Sequence, residues 1–137
     1  MFIIQWKNKM KIILKSLGLL ILGILIGSFI NMGFIIIGDL IFIKPEDFNP
    51  LNAMNWDIKY FIFPFIAHAF GTFSGSYSAS KLLNNDNKTI PVLIGFFFLS
   101  GGIYMALIVP APNWFLFLDL IAAYIPMAIL GWSLGKK

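Results

Sequence analysis

From Ile58 to Leu83 the chain reads IKYFIFPFIAHAFGTFSGSYSASKLL, and this stretch constrains everything around it. Wound as an α-helix at about 1.5 Å per residue it reaches about 39 Å, enough to cross a hydrocarbon core of about 30 Å. Its two faces differ. Pro64, Ala67, His68, Gly71, Thr72, Ser74, Gly75, Ser78 and Ala79 fall on one side, and Ile62, Phe63, Ile66, Phe70, Phe73 and Tyr77 on the other. The bulky side suits lipid; the small side suits other helices. Ala67, Gly71, Gly75 and Ala79 recur at every fourth position, which lets another backbone approach where no hydrophobic effect drives helices together. We read the segment as the hub of a membrane bundle.

The composition agrees. Hydrophobic residues make up 59% of the 137 positions and charged ones 12%, against about 25% charged in soluble domains. The chain reads as an integral membrane protein. Cysteine is absent, which excludes disulfides, thiolate metal sites and S-acylation. The net charge of +4 does not point to nucleic acid, because the lysines are scattered around apolar runs in no binding motif.

In chain order, Lys7, Lys9, Lys11 and Lys15 precede the apolar run of residues 17–37, which is too long for a signal-peptide core of about 7 to 15 residues and has no small-residue cleavage site after it. We expect a retained first span over about 16–38, with Gly23 and Gly27 sharing a face with Asn31. KPEDFNPLNAMNWD, with Pro45 and Pro50 among asparagines and aspartates, reads as an exposed loop. The hub occupies 58–83, and the polar turn NNDNKT leads to a third span over 90–109 that opens near Pro91. PAPNW closes a hairpin into a fourth span over 114–134, in which Pro126 is expected to kink the helix. The whole chain is then a single all-α domain, an up-down-up-down bundle of four transmembrane helices.

Lysines set the expected orientation. Lys7, Lys9, Lys11, Lys15, Lys81, Lys88, Lys136 and Lys137 fall on one side of such a bundle, and only Lys44 and Lys59 on the other, so the positive-inside rule puts both termini in the cytoplasm. Trp56 and Trp114 would mark the outer interface and Trp132 the inner one.

The segments SFINMGFIIIG, FIFPFIAHAFGTFSGSYSASK, GFFFLSGGI and PAPNWFLFLDLIAAYIPMAILG together resemble a group of small four-span bacterial membrane proteins with no established function. The resemblance implies the four-span architecture and a bacterial inner membrane. It implies no activity.

Three polar residues stand out within the spans. Asn31, His68 and Asp119 lie at compatible depths from one end of their helices, about 12, 13 and 7 Å in, each on the small-residue face of its own helix. An ionisable group at such depth is expensive and marks a functional site or an interhelical tie. We expect His68 and Asp119 to meet directly or through one water, with Asn31 as a further hydrogen-bond partner. No metal site is expected, because zinc needs three or four ligands and these residues supply too few. GTFSG, at Gly71 to Gly75, approximates the serine motif of intramembrane proteases but has the wrong spacing, and His68 sits on the same helix nearly two turns from Ser74. We therefore expect no enzyme and no cofactor. The leading expectation is a structural or accessory subunit packing in the lipid bilayer through Gly23, Gly27, Ala67, Gly71, Gly75 and Ala79, against itself or within a larger complex. The rival expectation is a small homo-oligomeric transporter or channel that uses the Asn31, His68 and Asp119 cluster.

Overall fold

The computed structural model describes residues 2–83 and 86–136. Asn84 and Asn85 of the expected turn, and the terminal Lys137, lie outside that range. Five helices appear in order: α1 (Phe2–Ile41), α2 (Lys59–Leu83), α3 (Thr89–Ile108), α4 (Asn113–Ala122) and α5 (Ile125–Gly135). The described residues contain no strand, and the helices pack as a bundle. Three stretches, Ile3–Ile41, Thr89–Ile108 and Asn113–Gly135, are long and apolar enough to cross a membrane. The serine- and glycine-rich α2 is not among them, because the side chains it turns inward are small or polar.

α2 lies at the centre and touches every other helix, most extensively α1 and then α5. Glycine makes this possible. α1 and α2 run antiparallel, so that Gly27 lies against Gly71 and Gly23 against Gly75. A Cβ added to Gly71 would stand 2.8 Å from the Gly27 carbonyl oxygen, and one at Gly27 would stand 2.6 Å from that of Gly71. Ala67 and Ala79, from the same stripe of α2, are fully buried or nearly so. On another flank Gly131 and Gly135 bring α5 against the α2 backbone, where added Cβ atoms would lie 2.6 Å from the Phe73 carbonyl and 2.7 Å from that of Tyr77. Polar side chains between the helices are spent on carbonyls: Ser76 Oγ donates to Pro91 O at 2.9 Å and Ser80 Oγ to Trp132 O at 3.3 Å. Such interhelical bonds contribute about 0.6 kcal/mol each in a membrane.

Two elements differ from the sequence expectation. α1 begins at Phe2, well before residue 16, because lysine, methionine and isoleucine sustain a helix and nothing from Phe2 to Gly18 breaks it. Residues 3–15 are exposed, and the helix overhangs the rest of the bundle. The fourth segment is interrupted outright. Pro126 has no amide hydrogen and its ring crowds the carbonyl four residues earlier, so α4 stops at Ala122 and Tyr124 leaves helical geometry at φ −113° and ψ −81°. Pro126 then sits in the first turn of α5, where its missing donor costs nothing.

The loop after α1 is largely exposed, as expected, and is folded into a cap whose few inward side chains, Phe48, Ala53 and Trp56, pack on the helix ends. Asn49 and Asn52 side chains accept from Leu51 and Met54 amides, folding the backbone into Asx turns, and the Trp56 indole donates to Asn49 O at 3.0 Å. Ala53 N donates to Pro110 O at 2.8 Å, tying this loop to the α3–α4 connection. Beneath it Ala53, Phe61 and Phe115 are buried together, with Trp56 and Val109 packed against them.

Candidate functional site

Below that aromatic cap, α2 and α4 present one ionisable group each. On α4, Phe115 and Asp119 are spaced four apart and share the buried face; Phe115 joins the cap and Asp119 the layer beneath. On α2, His68 follows Pro64 by one turn. The imidazole Nδ1 lies 2.9 Å from both Asp119 carboxylate oxygens. A carboxylate accepts, so Nδ1 carries the proton and donates in bifurcated fashion. Asp119 is only 5% exposed, whereas the His68 side chain retains 26%.

The third member is Tyr124. Placed in the break between α4 and α5, its ring turns back and its hydroxyl donates to Asp119 Oδ2 at 3.0 Å. The phenol also stacks on the imidazole, with centroids 5.6 Å apart and planes inclined by 27°. Gly102 of α3 gives it room: a Cβ there would lie 2.6 Å from the Tyr124 Cζ. Thr72 completes the surroundings by donating to the His68 carbonyl at 2.8 Å, a back-bond across one helical turn.

Asn31 does not hold the position expected of it. Its carboxamide makes no hydrogen bond to the pair, because its Cβ is packed over Gly71, 2.9 Å from where a Cβ on that glycine would be. It instead lines a recess of about 510 Å³ between α1 and α3 that also includes Ser28, His68 and Tyr124. A second recess of about 220 Å³, under the aromatic cap, is walled by Phe61, Pro64, His68 and Asp119. The imidazole thus borders both. Its Nε2, on the far side of the ring from Asp119, makes no hydrogen bond among the described residues and is not fully enclosed.

Chemically, the arrangement can hold, donate or accept one proton at Nε2 while Nδ1 stays committed to Asp119. Ser28 and Ser100 both line the larger recess, but neither hydroxyl bonds to the imidazole, and Ser100 donates to the Phe97 carbonyl at 2.7 Å. A nucleophile and base contact is therefore not formed among these residues. No group of three or more histidine, cysteine or carboxylate side chains among the described residues is placed to hold a metal ion. Compared with family models, curated proteins and solved structures, the chain matches none. Its reading rests on its own geometry.

Proposed function

We propose that this is a four-span, non-enzymatic integral membrane protein of the bacterial inner membrane, with both termini cytoplasmic, acting as a structural or accessory subunit. In this reading α2 is the remaining span, the four spans run up-down-up-down, and His68, Asp119 and Tyr124 form a clasp tying α2 to the broken fourth span.

The supporting observation is the closure of the bundle away from the clasp. There Gly23 meets Gly75, and Gly131 and Gly135 meet α2, at backbone contact distance, while Ser76 and Ser80 are bonded to carbonyls. Such packing closes the bundle at those layers and supports a rigid scaffold whose outer surface is apolar. Large exposed side chains such as Ile21, Leu25 and Phe29 on α1 and Phe96, Ile103 and Leu107 on α3 suit lipid or a partner's helices.

One observation favours the transporter reading instead. A helix interrupted beside an ionisable residue is a recurrent design of transporter binding sites. Extraction in a mild copolymer, followed by mass measurement and identification of companions, separates the two. A stoichiometric larger partner is the expected result; a discrete homodimer with no companion would displace the accessory reading in favour of transport.

A further inference from the structure

We propose that the recess between α1 and α3 binds a lipophilic organic cation, held against the His68 imidazole with Asp119 as its countercharge. The inference requires only that the bundle sits in a membrane and is independent of the accessory reading.

Shape and lining come first. At about 510 Å³ the recess is within the usual range for a small organic ligand. It opens sideways between two helices, so a guest enters from the membrane phase, which selects molecules that dissolve there. Met32 of α1 and Phe97, Phe98 and Met105 of α3 wall it, and the Tyr124 ring adds a further aromatic face. Aromatic faces attract cations and thioethers adapt to irregular guests.

Charge then decides the sign. Asp119 is buried, and the only basic group at ion-pair distance from it is His68; the other ion pairs among the described residues, Lys44 with Asp39 and Lys59 with Asp57, belong to the loop end. A buried carboxylate without a countercharge is strongly unfavourable. Apart from protonation of the carboxyl itself, two arrangements compensate it. Either Nε2 takes a proton and the imidazolium pairs with Asp119, or Nε2 is bare and a cation occupies the recess. They exclude one another, because a protonated Nε2 would face the guest with like charge. When the cation enters, the Nε2 proton leaves to water, Nδ1–H continues to donate to Asp119, and the net charge of the site does not change. An anion in the same place would leave the site one negative charge in excess beside an imidazolium and two beside a neutral imidazole.

Proton competition makes the proposal testable. The titratable groups facing His68 are Asp119 from α4, Tyr124 from the break, and Tyr104 of α3 across the recess; α1 contributes Asn31 and Ser28, which do not titrate, and α5 has no titratable side chain. Guest and proton exclude each other at the site, so the guest should bind more tightly as pH rises. Equilibrium dialysis of the full chain in mild detergent, with tetraphenylphosphonium as the cation and tetraphenylborate as its anionic counterpart of like shape, provides the measurement. Saturable tetraphenylphosphonium binding is expected, about tenfold tighter near pH 8 than near pH 5.5. Asp119→Asn should abolish it. Ser28→Trp, which fills the recess from an exposed position outside the hydrogen-bonded cluster, should do the same. If Asp119→Asn does not fold, His68→Gln serves in its place, and its binding should lose the pH dependence. No saturable binding of the cation, binding unchanged in both recess variants, binding independent of pH, or a preference for tetraphenylborate would each overturn the proposal.

Discussion

Asp119 accepts from two side-chain donors, so the consequences of changing it and of changing its partners are unequal. Tyr124→Phe removes one donor and leaves the carboxylate with His68; we expect a loss of about 0.6 kcal/mol, typical of a membrane hydrogen bond. Asp119→Ala strands both the phenol and the Nδ1–H, and the expected loss is larger, about 1 to 3 kcal/mol for buried groups left unpaired. Unfolding in a denaturing detergent series measures both, and equal losses would argue that the clasp is not a unit. Gly102→Ala should act on the same contact from α3, since the new methyl would displace the Tyr124 phenol. In a double-mutant cycle with Tyr124→Phe the two changes should be non-additive. Of these residues, the meeting of His68 with Asp119 follows from quantities the sequence carries, namely depth along each helix and a shared small-residue face. Tyr124 could not be found that way. In an unbroken helix, five residues past Asp119 lies well round the surface, and only the interruption brings the phenol back to the carboxylate.

At the scale of the helix, glycine divides into positions that permit contact and positions that do not. Gly71 and Gly75 of α2 lie on the α1 backbone, whereas Gly18 and Gly33 of α1 have open space where a Cβ would go. Gly71→Leu should therefore reduce stability more than Phe70→Leu, because Phe70 is half exposed and leans on the rings of Phe34 and Phe73. Gly18→Ala should be neutral or stabilise by about 0.5 to 1 kcal/mol, since it removes backbone freedom from the unfolded chain without a clash. The same detergent series distinguishes them, and a severe loss at Gly18 would show that a partner covers that face. The small-residue period of α2 was readable because packing at every fourth residue leaves a mark in the sequence. The fourth segment was readable only in part: Pro126 announced a disturbance, yet whether a proline bends a helix or ends it depends on what receives the freed backbone, here a turn at Ala123 and Tyr124 whose own side chains are buried. The cap at 42–58 was unreadable as a packed unit, because its anchor, the Ala53 amide on the Pro110 carbonyl, joins residues that no local pattern relates.

For the whole molecule, orientation is the property to test first. Single cysteines at Asn49 and Asp86, probed with an impermeant thiol reagent in intact cells, should be labelled at Asn49→Cys and not at Asp86→Cys if the lysine-rich end faces the cytoplasm. The reverse pattern would invert the topology and put the aromatic cap on the cytoplasmic side. The long first helix adds a mechanical property to whichever side it faces. α1 runs without a break from Asn31, beside the clasp, to Phe2, a distance of about 43 Å along the axis. Its closest contacts with α2, at Gly23 and Gly27, are glycine to glycine and form a fulcrum, with Asn31 and Phe34 packing on α2 to one side of it only. A tilt of about 10° there would swing the far tip by about 6 Å, so a change at the clasp too small to alter the bundle would arrive at the lysine-bearing end as a movement wide enough to make or break a contact.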